Sequence, residues 1–402
     1  MFESDQSLPA DAPHPWPIRN ACRLLGYPLP GSAVCGNQPS YYLGHDSIEP
    51  TIQNLKKLLG DEFPYISEEE LNKRFRLFRE EYALQADMNQ NDTDFMVYFA
   101  DWLLHARSRG FGHHCYFVYE LYKKEIEIRD TFLNAGYRKE VARICAPRAY
   151  RGVFGDKASF NRRFSDYVHR DWVDATSCSY EEFCAFAQRN PKFFAKPVRG
   201  TGGRGAHVVK VDGSELRAIF DQCREENVIC EEVVQQHDRL CEFNSSTLNT
   251  IRVTTLLCAD GIPRIMLAAV RFGRKGNCAD NFHSGGMGAV VDVDTGKVTS
   301  TAVDMYHQRF AVHPDSKMDI VGFEIPEWEK VKDAAINAAL VVPELRHVGW
   351  DVAVRKDGRI ELIEGNCMPG YDMMQSPDQI GKRGRYEEYI PALKKIRSKT
   401  KK

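Results

Sequence analysis

The chain has 402 residues, more than one compact module at roughly 100–200 residues per domain, so two or three packed subdomains are expected. Hydrophobic residues at 43% and charged residues at 27% are ordinary globular usage and exclude a disordered, collagen-like or disulfide-dense chain. A net charge of −2 supplies no global field toward nucleic acid or anionic lipid, so partners must be sought in local sites.

The first 40 or so residues carry Pro9, Pro13, Pro15, Pro17, Pro28 and Pro30, which break helices and predict an irregular lead-in. The N-terminus has acids where a secretion signal needs bases, and no apolar run approaches the roughly 20 residues of a membrane span. The 12 cysteines contain no C-x-x-C pair, which fits reduced thiols and a cytoplasmic location.

Ile48, Ile52, Leu55 and Leu59 recur at helical spacing. Ser67 with Glu70 has the pattern of a capping box, opening a helix with Leu71, Phe75, Phe78 and Tyr82 on its inner face. Phe95, Phe99, Trp102 and Ala106 share another face, the glycines of 107–112 break the chain, and a further helix is expected over 116–128. His113 and His114 are adjacent, so their side chains diverge on a regular element; a helix start is expected there, not a metal site.

After about residue 185 the period switches. Short apolar or β-branched runs at 193–196, 206–211, 228–231, 251–257 and 265–270 read as strands. Asp-Thr-Gly-Lys at 294–297 and Lys-Asp-Gly-Arg at 356–359 predict hairpins joining 289–293 to 298–301 and 351–354 to 360–363. Helical segments at 180–188, 214–226 and 327–341 separate the strands, which gives an α+β class with largely antiparallel pairing. The basic run from Lys394 to Lys402 reads as a frayed, solvated tail.

Four segments suggest chemistry. The stretch after Lys196 contains Gly200, Gly202, Gly203 and Gly205 between two strands; this is either a structural turn or a backbone loop that closes over polyphosphate beside the Lys196 charge. The run Val228 to Val234 is either a salt-bridged strand end or a linker whose backbone meets an adenine edge while Glu231 or Glu232 takes the amine or a ribose hydroxyl. Asp351, Glu364 and Asn366 fall on facing strands of one hairpin, either as solvated acids or as a hard oxygen set suited to Mg²⁺. Arg252 and Arg271 lie on strands, either in salt bridges or on a transferred phosphoryl group.

In that order, lysine strand and glycine loop, Glu-Glu-Val-Val linker, arginine strands, then Asp with Glu-x-Asn, these segments resemble the ATP-grasp superfamily. Asn249, Thr250, Ile251 and Arg252, with Asp280 and Asn281 ahead of Gly285 and Gly286, are most similar to its sugar-transfer-associated branch; the metal signature resembles D-alanine:D-alanine ligase-like enzymes. The resemblance implies two α/β lobes holding ATP after a mostly helical N-terminal region. It divides the chain at 1–145, 146–232 (small lobe), 233–390 (large lobe) and 391–402 (basic tail).

It further implies nucleotide contacts from Lys157, Lys196, Gly202, Gly203, Glu231, Glu232, Val233 and Val234, with Mg²⁺ ligands Asp351, Glu364 and Asn366. Glu242 is the position weighed for the ribose. Arg252, Arg271 and His283 are the catalytic candidates, and Ser284, Gly285 and Gly286 the substrate-binding ones. The implied reaction is ATP-dependent joining of a carboxylate and an amine through an acyl phosphate, on small sugar-linked or peptidic substrates. A kinase acting on a hydroxyl and a non-enzymatic nucleotide-binding module are the rivals.

Overall fold

The computed structural model describes residues 16–25, 67–85, 92–200, 205–211, 216–275, 280 and 285–399. The helix expected over 48–59 and the proline-rich lead-in up to Pro15 lie outside them, as do Pro28, Pro30, Gly202, Gly203, Asn281, His283 and Ser284. The chain divides into two units, Met1–Tyr137 with Gln379–Gly384, and Arg138–Asp378 with Arg385–Lys402.

The first unit is helical, with α1 (Trp16–Leu25), α2 (Glu68–Ala83), α3 (Asp92–Asp101) and α4 (His113–Val118); α1 corrects the irregular lead-in expected there, since Pro17 falls in the first turn, where no N–H donor is needed. Ser67 caps α2 by accepting from the Glu70 N–H at 3.2 Å, but Glu70 turns to Arg74, so only half of the expected box forms. The two predicted aromatic faces meet in the core, where Phe78 packs on Phe95, Phe99 and Trp102 at 5.2–5.8 Å between ring centroids. One helix over 116–128 does not form. Glu120 takes a left-handed φ of 45° after α4, and a 3₁₀ turn and the short helix Ile126–Arg129 follow. The turn lets Arg129, fully buried, fork onto Asp101 at 2.9 and 3.1 Å, a pair that a straight helix would not assemble.

The second unit holds α5 (Ala135–Cys145) from Arg138 onward and α6 (Lys157–Arg163). Its small sheet holds β1 (Trp172–Asp174), β2 (Lys192–Pro197), β3 (His207–Lys210) and β4 (Val228–Glu232) in the order β1-β4-β2-β3. It is covered by α7 (Tyr180–Arg189) and α8 (Leu216–Glu225), which pack Phe183, Phe186 and Phe220 against Phe193. A full capping box, Ser179 with Glu182, starts α7.

The large sheet contains β5 (Ile251–Leu257), β6 (Pro263–Phe272), β7 (Met287–Val291), β8 (Ala302–Asp304), β9 (Arg309–Phe310), β10 (His347–Val354) and β11 (Ile360–Asn366), ordered β11-β10-β5-β6-β7-β8-β9. Every pairing in both sheets is antiparallel. α9 (Trp328–Ala338) covers one face through Val331 and Ala335. β5 and β10 are buried at every residue, so any charge on them must find a partner inside the protein.

Two further expectations are corrected. Residues 298–301 form no strand: Val298 donates to Phe323 and Thr299 to Val290, which splits the segment between two neighbours and leaves isolated bridges. The basic tail, as far as Lys399, is not frayed: it continues α10 (Ile390–Lys399), whose Ile390 and Leu393 are buried, while Lys394 and Lys395 stay exposed and Lys394 pairs with Glu140. Burying each aliphatic side chain contributes roughly 2 kcal/mol, enough to outweigh mild repulsion among exposed lysines.

Candidate functional site

Two cavities of the second unit meet at one acidic side chain. The first, about 480 Å³, is bounded by Phe194, Lys196 and Ala206 of the small sheet, by residues 231–236, and by Thr250, Arg271, Ile363 and Glu364 of the large-sheet side. The second, about 540 Å³, is lined by Arg138, Arg151, Phe154, Arg252, Asn366 and Met373 among others. Lys157, Gly200, Arg271, Ile363 and Glu364 line both.

Lys157 opens α6 behind its cap Asp156, and its ammonium donates to the carbonyls of Pro197 and Gly200 at 2.9 and 3.1 Å. Burial lowers its pKa from the usual lysine value. Lys196 reaches the first cavity from β2 and pairs with Glu231 of β4 at 2.6 Å. Glu231, 1% exposed, also accepts from Arg170 at 2.8 Å and Asn161 at 2.9 Å. Burial alone would raise its carboxyl; Arg170 and Lys196 outweigh it and hold the group well below the usual carboxylate range. Glu232 accepts from Arg355 at 2.7 Å and from the Asp171 N–H at 3.0 Å.

Both glutamates, expected as adenine or ribose acids, line the first cavity with carboxylates already engaged by protein donors, Glu231 buried and Glu232 partly exposed. The acid on the cavity wall with an exposed carboxylate is Asp238, at the start of the short helix Asp238–Cys241, with Lys356 at 3.5 Å. Its position six residues past Glu232 was the available signal; Glu242 does not line either cavity. Val233 and Val234 line the first cavity beyond the end of β4, and neither makes a backbone–backbone hydrogen bond among the described residues.

At the junction, antiparallel register places Asp351 of β10 beside Glu364 of β11 and beside Arg252 of β5. Both Asp351 oxygens accept from Arg252, and both accept again from Arg271 at 2.9 and 3.1 Å. These arginines, 7% and 8% exposed, thus direct their forks at Asp351 while lining the second cavity, and Arg271 lines the first as well. Burial would raise Asp351, but the two guanidiniums hold it well below the usual range. Glu364 carries the opposite shift: burial and the Asp351 charge push its carboxyl up to about 7, and the two acids hydrogen-bond. Asn366 accepts from the Met368 N–H at 2.8 Å through its amide oxygen. Between them, Gly365 lies under Phe154, whose ring sits 2.5 Å from where a Cβ would project.

Two contacting carboxyl groups, one of them with its pKa raised, form a donor set that a hard divalent cation would relieve, and the amide oxygen of Asn366 has a second lone pair. Glu364 and Asn366 fit directly. Asp351 already accepts four N–H groups, so it would exchange one of them to act as a ligand. Asp280, buried, accepts from the Thr250 N–H and hydroxyl on the wall of the first cavity. Gly285 and Gly286 lead into β7 and line neither cavity. No helix among the described residues is long and apolar enough to cross a membrane.

A family model described as sugar-transfer associated ATP-grasp matches residues 177–389, more than half of the chain. No curated protein matches it. Among solved structures, the chain is similar to the ATP-grasp ligase PsnB complexed with minimal precursor, at 16% identity over 62% of each chain and a TM-score of 0.38. The VanG D-Ala:D-Ser ligase from Enterococcus faecalis is 14% identical over 60% of this chain and 62% of its own, with a TM-score of 0.39. The D-alanine–D-alanine ligase from Bacillus anthracis is 15% identical over 62% and 70%, with a TM-score of 0.37. The match thus spans about 62% of the PsnB chain. By the family match over its C-terminal half, the chain belongs to the sugar-transfer associated ATP-grasp family.

Proposed function

We propose that the protein is an ATP- and Mg²⁺-dependent carboxylate–amine ligase. The observation that carries this reading is that the lysine-lined cavity and the arginine-lined cavity share the wall formed by Lys157, Arg271 and Glu364. A nucleotide in one and an acid in the other would meet there. The backbone groups of Val233 and Val234, without a backbone partner among the described residues, suit the edge of a purine, and Asp238 suits the ribose hydroxyls. Lys157 and Lys196 supply positive charge for the phosphates, and Glu231 holds Lys196 in place. Glu364 and Asn366, with Asp351, would hold Mg²⁺, which when bound neutralises charge between the phosphates and the approaching carboxylate.

A substrate carboxylate oxygen attacks the γ-phosphorus, ADP leaves, and the acyl phosphate is then attacked by an amine with loss of phosphate and a proton. Gly200, at a φ of 123°, stands on the wall common to both cavities, beside the place where that intermediate would form. The test is mass spectrometry of products from ATP, Mg²⁺ and pooled carboxylates and amines. An amide formed together with ADP and phosphate is expected; a stable phosphorylated alcohol, or ATP binding without any turnover, would overturn the reading.

A further inference from the structure

The second cavity carries charge that its own walls do not balance. Arg138, on α5, has no hydrogen bond or ion pair among the described residues, and its Nε is buried without a partner. Arg151 is pinned by donating from Nε to the Ala146 carbonyl at 2.8 Å and from Nη2 to the Ala142 carbonyl at 3.4 Å, both near the C-terminal end of α5. Among the described residues, its remaining Nη1 meets the thioether of Met368 alone, at 4.0 Å. The acids on these walls are Glu364, already hydrogen-bonded to Asp351, and Asp372, which is engaged with another residue. Phe154, Met368 and Met373 add apolar lining to the same cavity.

A half-buried guanidinium without an anion loses hydration and gains little in return, whereas a carboxylate would satisfy its planar fork. Arg252 and Arg271 cannot serve, because Asp351 occupies them. We infer that the acid taken by this cavity is a dicarboxylate, whose second carboxylate is bound by Arg138 and Arg151 while the reacting one is presented beside Glu364. The apolar lining suits a short methylene spacer between the two charges. The inference rests on the ligase reading for which end reacts, but the selectivity itself is a property of the pocket.

The experiment is calorimetric titration of the full chain, preloaded with ADP and Mg²⁺, with adipate and with hexanoate, which share a chain length and differ by one carboxylate. Adipate is expected to bind at least about tenfold more tightly, the scale of one charge-assisted interaction. Arg138→Gln should reduce that preference below about threefold with ADP affinity unchanged, and Arg151→Lys, which keeps charge but loses the fork, should fall between. Equal affinity for the two acids, no detectable binding of either, or a preference that survives in Arg138→Gln would overturn the inference. Selectivity with no amide product would instead refute the ligase reading and leave the arginine subsite standing.

Discussion

Replacing Arg170 with methionine keeps most of the side-chain length and removes the one cation shared by two buried carboxylates. Arg170 is 4% exposed; its Nη1 donates to Glu361 and the Leu362 carbonyl at 2.7 Å, and its Nη2 reaches Glu231 and Asn161 at 2.8 Å. Removing one partner of a buried pair costs about 3–5 kcal/mol. Lys196 still faces Glu231 and Arg355 still faces Glu361, which places the cost near the lower end. At roughly 2–4 °C per kcal/mol for a body of this size, the melting transition of the second unit should fall by about 6–12 °C in scanning calorimetry with excess EDTA.

The pH dependence adds a sign. The folded pKa of Glu231 lies below its ordinary 4.5, so its contribution is present above that value and is lost as pH falls through the folded one. Without Arg170 the depression shrinks, and the variant's deficit should be largest above pH 4.5 and narrow on acidification. A fall under about 2 °C at neutral pH, or a deficit that widens in acid, would refute the account of Arg170 as the counter-charge.

Three other outcomes are expected. With metal chelated, Glu364 loses stability as pH rises: a carboxyl raised from 4.5 to about 7 beside Asp351, Arg252, Arg271 and Lys157 costs roughly 3 kcal/mol between those values and nothing further above. Glu364→Gln should abolish that slope in denaturation curves at pH 5 and pH 8. Gly365→Ala drives a Cβ into the Phe154 ring and should destabilise the protein by about 1–3 kcal/mol, read as a lower denaturation midpoint, while Phe154→Leu in the same chain restores part of it. Lys196→Ala should weaken ATP binding at least about tenfold by titration and leave Glu231 still held by Arg170.

The α+β class and the ATP-grasp architecture were legible in the sequence because their strands are short β-branched runs; β5 coincides with the expected 251–257, and the 356–359 turn lies between β10 and β11. The convergence of Asp351 and Glu364 was legible for the same reason, since a hairpin register follows from its turn. What neighbours do to a charge was not. Nothing local distinguishes Arg252 in a surface pair from Arg252 locked on Asp351, because the lock depends on β5 lying beside β10 rather than next to a sequence neighbour. Arg170 escaped notice altogether: it precedes a three-residue strand in a segment without periodicity, and its importance lies in partners 61 and 191 residues away. The divided helix after α4 was hidden because its aromatic residues satisfy a helical period that the left-handed Glu120 interrupts.

Glu231 and Glu232 belong to the small sheet, Glu361 to the large one, and Arg170 and Arg355 rivet all three. The floor of the cleft is therefore fastened by largely buried ion pairs, which salt screens much less than it screens pairs on the surface. A ligand cannot gain entry by prising the two sheets apart at this base. The clasp holds both walls of the cleft in one register.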